Sequence, residues 1–170
     1  FVGKEALAAV GASFPIMFLM ISLVMGVTMG ASVMLSQFFG ARDHARLART
    51  RDTAIVVLFF ASLAMSAVGL ATAGPILRLV KTPDEVFPQA RTYLRIMFAG
   101  MVFMFGYNTV SAVLRGLGDS KRPLYFLIVA TLVNILLDLL FVLVFRWGVA
   151  GAAWATVISQ AIAFAMGARA

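Results

Sequence analysis

Cysteine is absent from this chain, histidine occurs once, and charge is missing from most of its length. The first absence excludes disulfides and thiol chemistry, although it says little about compartment. His44, the single histidine, sits in a basic stretch and offers no metal or acid–base partner. Charged residues make up 12% of the 170, and they are clustered. None occurs in 6–41, 53–77, 96–114 or 147–168, and the run 123–145 is broken only by Asp138. A bilayer core about 30 Å thick is crossed by roughly 20 apolar residues in a helix. With 62% apolar composition, the expected fold is all-α: a polytopic membrane helix bundle in one domain over 1–170. Its five transmembrane helices are placed at about 13–40, 53–77, 96–114, 123–145 and 149–168. The opening "EALAAVGASF" is expected to lie at the interface, because the first run is too long for one upright helix.

The net charge of +7 does not point to nucleic acid, because the Lys and Arg residues fall in the short gaps between spans. Four arginines lie in "RDHARLARTRD", 42–52, and three basic residues in "RGLGDSKR", 115–122. Both gaps connect spans on the same side, and the positive-inside rule makes them cytoplasmic, in an inner (plasma) membrane. The chain then starts outside and ends inside. It opens on Phe1 with no basic leader, so an earlier span and a larger parent transporter are expected. "GLGDSKRP" looks faintly like a phosphate loop but lacks the Walker spacing and follows no strand, so it reads as a turn. "TPDE", 82–85, reads as a helix start with Thr82 as N-cap and Pro83 in the first turn.

Asp138 stands alone inside "TLVNILLDLLFVLVF". Its insertion costs roughly 2.5–3.5 kcal/mol at a helix centre, whereas each Leu, Ile, Phe or Val returns about 0.3–0.6. Seventeen such residues in 123–145 carry it easily. Intramembrane carboxylates face cavities or partners and serve ions or protons, the plainer reading being an interhelical hydrogen bond. Asn134 lies one turn earlier on the same face. The connection Arg146-Trp147-Gly148 is short enough to force an antiparallel hairpin. Asp138 and Thr156 then lie at matching depth, about 12 Å below its tip, and Asn134 matches Gln160 one turn deeper. Such an oxygen-rich niche suits a proton or a small hard cation such as Na⁺, with Asp138, Asn134 and Thr156 as the metal ligands in the latter case.

Weaker polar signals are Asn108 in "FGYNTV" and the ladder Ser22, Gly26 and Gly30, read as close helix packing with Gln37 near the same face. Met25, Met29 and Met104, with Gln37, are candidates to line a substrate cavity, since methionine gives adaptable apolar surface.

Taken in order, "EALAAVGAS", "SQFFGARD", "YLRI", "YN", "LRGLGDSKRP", "NILLD" and "GVAGAAWATVISQ" resemble the multidrug and toxic compound extrusion (MATE) transporters over nearly the whole chain. The resemblance implies spans two to six of an N-terminal lobe, lacking the first span and the C-terminal lobe. It implies export of cationic or amphipathic drugs in exchange for H⁺ or Na⁺, with no organic cofactor. It carries an ion site onto Asn134, Asp138 and Thr156, with Tyr93 and Asn108 in the supporting network, to which the matching depth on the hairpin adds Gln160. A lipid-linked oligosaccharide flippase is the nearest rival, disfavoured by the absence of basic residues within the spans. A structural membrane subunit that does not transport is the other. An enzyme is not expected. The residues do not choose between H⁺ and Na⁺ and do not name the drug.

Overall fold

The computed structural model describes residues 4–169, with side chains described from Leu7 onward; the expectations attached to Phe1 and to the side chains of Lys4, Glu5 and Ala6 lie outside these. Six α-helices account for nearly all of it: α1 (Lys4–Gly40), α2 (His44–Leu79), α3 (Phe87–Ala99), α4 (Met101–Gly116), α5 (Lys121–Asp138) and α6 (Gly148–Gly167). A π-helical segment, Leu139–Val144, continues α5. No strand occurs among the described residues. The chain is a multi-pass membrane protein: α1, α2, α5 with its π segment, and α6 are each long and apolar enough to span, and α3 with α4, bent by 46° at their junction, makes a fifth if the pair crosses as one.

The helices outrun the charge-free stretches because their flanks carry charge without breaking the helix. α1 is continuous over 37 residues, about 55 Å, so the "EALAAVGASF" opening is helical and runs without a break into the first span. Three of the helices end alike. After α1, α2 and α4 the chain turns through a left-handed residue, Arg42 (φ 55), Lys81 (φ 54) and Gly118 (φ 87). At each, the following N–H reaches back to close the last turn: Asp43 to Phe38, Thr82 to Leu77, Asp119 to Leu114, at 2.9–3.1 Å. This corrects the reading of "TPDE". Thr82 is consumed in ending α2, and α3 begins at Phe87 with Val86 as N-cap and Pro88 in the first turn.

The core runs along α1 at Ala9, Ile16, Met17 and Val24, and meets Leu58, Ala73 and Leu77 of α2, Leu94 and Phe98 of α3, and Met101 and Phe105 of α4. α6 is central and packs against α3, α4 and α5. It can do so because its buried positions include Gly151, Ala153, Ala155, Ser159, Ala163 and Gly167, small enough for close approach on several sides. The bend between α3 and α4 falls at Gly100, where a side chain would collide with Val157 of α6. The ladder Ser22, Gly26 and Gly30 behaves differently from expectation. A Cβ on Gly26 or Gly30 would have nothing within 4 Å, so among the described residues this face packs against no helix.

Candidate cation-coupling site

The site is built where α5 and α6 form an antiparallel hairpin. Its tip is a cluster of stacked rings: Phe141 and Trp147 lie 5.0 Å apart between centroids, and Phe145 lies 6.0 Å from Phe141 and 5.6 Å from Trp147. Aromatic rings of this kind favour the membrane–water boundary, which fits the expected depth of the polar residues below them. Arg146 (φ 56) and Gly148 (φ 57) reverse the chain, and the Trp147 N–H donates to the Phe141 carbonyl at 2.9 Å. Gly151 lets α6 approach the π segment, its Cβ position lying 3.0 Å from the Cβ of Phe141.

On α5 the two polar residues turn inward. Leu132, Ile135, Leu136 and Leu139 are 50–66% exposed, whereas Asn134 and Asp138 are half-buried. Asp138 occupies the last α-helical position before the π segment. The expected straight α-helix over 123–145 therefore ends at the carboxylate. The widened turn that follows changes how the backbone beyond Asp138 rotates relative to α6. From α6, Thr156 and Gln160 are half-buried, flanked by buried Ala155, Val157 and Ser159. From α3, Tyr93 is half-buried and near enough for a charge on Asp138 to bear on its phenol.

Hydrogen bonding divides these residues into two sets. Asp138 Oδ1, Asn134 Nδ2 and Gln160 Oε1 are buried with no hydrogen-bond partner among the described residues. Thr156 donates to the Ala152 carbonyl at 3.0 Å, and Asn108 Nδ2 donates to the Met104 carbonyl at 2.8 Å, both within their own helices. Thr156 keeps oxygen lone pairs free to accept. Rotating the Asn134 amide by half a turn would present its oxygen in place of nitrogen, since the two ends are nearly isosteric. The arrangement can thus offer a carboxylate with neutral oxygens from Asn134, Thr156 and Gln160. No cluster of three or more His, Cys, Asp or Glu that could hold a metal occurs among the described residues, so one carboxylate would carry the charge complementarity.

Three of the candidate cavity residues, at four- and eight-residue spacing, share one exposed face of α1, and the fourth lies on α4. Met25 and Met29 are 59% and 69% exposed, Gln37 is exposed and Met104 half-buried. Two cavities are formed elsewhere. One of about 390 Å³ lies between α2, α4 and α6, around Phe59, Phe105, Thr109 and Phe164, and one of about 430 Å³ lies between α1 and α2. Neither contains a candidate residue. Sequence reasoning also missed Gly100, whose signal is only that a glycine interrupts an apolar run.

The MatE family model matches residues 1–140. A Bacillus subtilis (strain 168) protein described as probable multidrug resistance protein YpnP is 42% identical over 97% of this chain. The alignment takes in 37% of that relative, so the chain spans well under half the length of the curated relatives it matches. Among solved structures, a MATE family transporter of the MOP superfamily in its inward-facing conformation matches with a TM-score of 0.93 and 28% identity, covering 98% of this chain and 38% of that one. An outward-facing conformation matches with a TM-score of 0.94 at 28% identity, over 98% and 37%.

Proposed function

Because the chain belongs to the MatE family, we propose that it serves multidrug efflux, its α5–α6 hairpin coupling the export of cationic or amphipathic compounds to entry of H⁺ or Na⁺. The observation that carries this reading is the pair of unpartnered buried oxygens, Asp138 Oδ1 and Gln160 Oε1, on two packed helices. Unsatisfied buried polar atoms are rare because each forfeits hydration without a replacement bond. A site that must take up and release a cation has to leave acceptors unpaired in one of its states.

Asp138 is the charged ligand or proton acceptor, Asn134 and Thr156 supply neutral oxygens, and Gln160 extends the niche one turn inward. Tyr93 ties the niche to α3, so a change in the charge of Asp138 is felt on the bent span. Cation binding cancels that charge and favours whichever packing of α3, α5 and α6 tolerates the neutral form. The near-equal likeness to inward- and outward-facing structures supports a lobe that moves largely as one body around this site. The stretches 42–52, a turn and the first turns of α2, and 115–122, between α4 and α5, face the cytoplasm from an inner (plasma) membrane on this reading, which rests on their density of arginine and lysine.

The test is gradient-driven efflux of a fluorescent cation by the full-length protein in proteoliposomes, with an imposed H⁺ or Na⁺ gradient. Asp138→Asn is expected to reduce efflux to the level seen without a gradient, with the folded protein still recovered. Unchanged efflux with unchanged ion dependence would remove the proposed role.

A further inference from the structure

The cavity between α1 and α2 lies towards the turn 41–43 that joins those helices, and its chemistry is split. Val27, Ala31 and Met34 from α1 face Ala54 and Val57 from α2 to form apolar walls, and Arg49, Thr50 and Thr53 complete it at the end nearest the turn. Its volume, about 430 Å³, falls in the range of about 300–1,000 Å³ typical of small-molecule sites.

The polar residues at this end are the uncommitted ones of their region. Arg46 pairs with Asp43 at 3.0 Å and sits 6.0 Å from the centre of the Phe38 ring, and Arg51 pairs with Asp52 at 2.8 Å. Both aspartates of 42–52 are thereby used. Arg49 makes no ion pair or hydrogen bond among the described residues. The threonines repeat the pattern. Thr28, Thr72, Thr92, Thr109, Thr131 and Thr156 each donate to a carbonyl of their own helix, whereas the Thr50 and Thr53 hydroxyls make no hydrogen bond among the described residues. One free guanidinium and two free hydroxyls therefore edge an apolar groove. Ile55, Val56 and Phe60, on the same stretch of α2, are 46–64% exposed, as expected of a helix facing acyl chains.

We propose that this groove is a binding site for an anionic phospholipid, its acyl chain lying between α1 and α2 and its phosphate held by Arg49 with Thr50 and Thr53. A guanidinium matches phosphate oxygens with paired donors, and basic pockets between membrane helices recognise anionic headgroups. A zwitterionic lipid would bring a second cation towards Arg49. The site rests on the membrane placement of α1 and α2 and is independent of the ion-coupling role of Asp138.

Native mass spectrometry of the full-length protein, equilibrated with mixed phosphatidylglycerol and phosphatidylcholine, tests it directly. The wild type is expected to retain phosphatidylglycerol over phosphatidylcholine, and Arg49→Gln to weaken that retention about fivefold, as for loss of one basic contact at a membrane surface. Arg49→Lys, which keeps the charge without the paired donors, should restore only part of it, and Arg46→Gln should leave it unchanged. Ala54→Leu, which narrows the apolar part, should lower retention of both lipids. Equal retention of the two lipids by the wild type would overturn the proposal, as would an equal loss in Arg49→Gln and Arg46→Gln, which marks a diffuse basic surface. Full retention in Ala54→Leu would overturn it too, as would no retained lipid at all, the groove then being covered by another part of the protein.

Discussion

The buried polar groups of α1, α2 and α4 and those of the α5–α6 hairpin are treated in opposite ways. Ser13, Thr28, Ser62 and Thr109 are at most 6% exposed, and each donates to a carbonyl of its own helix at 2.6–2.8 Å. Asn134, Asp138 and Gln160 are less buried as residues, yet each holds a buried polar atom without a partner. For Asp138 the cause is chemical. A hydroxyl is a donor on a short arm and reaches the carbonyl one turn back, whereas an ionised carboxylate only accepts and finds no donor in a helix interior. Hydroxyls can therefore be buried for packing alone, and an acid in the same setting requires another helix or a cation. Ser111 Oγ on α4, Thr82 Oγ1 after α2 and Gln89 Oε1 on α3 are exceptions, buried and unpaired outside the hairpin, and no feature of the site accounts for them.

The sharpest way to separate the two regions is Asp138→Leu. Efflux by the full-length protein should fall to background, while stability in detergent should rise, by up to about 3 kcal/mol if the insertion cost of a mid-helix Asp is recovered. A rise in Tm with loss of transport identifies a residue kept for function at the expense of stability. A fall in Tm would instead make the carboxylate a packing contact and dissolve the contrast.

The opposite outcome is expected of Gly116→Ala, at the end of α4. The added Cβ would lie 2.6 Å from the Cβ of Leu35 and 3.1 Å from the Ser32 carbonyl, groups fixed to the α1 backbone and unable to swing aside. Overpacking of this kind costs about 1–3 kcal/mol. Thermal unfolding should show it, and the ion dependence of any surviving transport should match the wild type. Trp147→Ala should cost less, about 1 kcal/mol, since it removes ring stacking on Phe141 and Phe145 at the hairpin tip. Because that tip sets the height of α6 against Asp138, this variant should shift the ion concentration for half-maximal efflux as well as Tm.

How much of this was legible beforehand follows the same division. The five spans could be read from where charge is absent, and Asp138 announced itself as the lone charge in its run. That Asn134 and Asp138 share a face followed from their four-residue spacing, whereas the direction of that face depends on the neighbouring helices. The π segment could not be read, because "LLFVLVF" is apolar on every side and carries no polar marker to reveal a change of helical phase. The start of α3 was misplaced because Thr82-Pro83 and Val86-Phe87-Pro88 both carry start signals, and the choice was made by the end of α2, which takes the Thr82 N–H. The glycines misled in both directions. Gly26 and Gly30 looked like contact residues and meet open space, whereas Gly100 drew no notice and sits against Val157 at the bend. Whether a glycine is crowded depends on the neighbouring helix, which its own segment does not encode.

The smallest effect is the most exacting test of the contrast. Thr109 is 6% exposed, and its hydroxyl donates to the Phe105 carbonyl at 2.7 Å. Thr109→Val keeps the side-chain shape and removes the hydroxyl. The Phe105 carbonyl still receives the backbone N–H of residue 109 in the helix ladder, so no acceptor is stranded. The expected change is about 0.6 kcal/mol or less, the scale measured for side-chain hydrogen bonds within membranes, with efflux and its ion dependence unaltered. If Thr109→Val instead disturbed coupling as Asp138 variants are expected to, locally satisfied hydroxyls would have to be counted as part of the ion machinery. Hydrogen-bond satisfaction would then cease to distinguish structural from functional polar groups in this bundle.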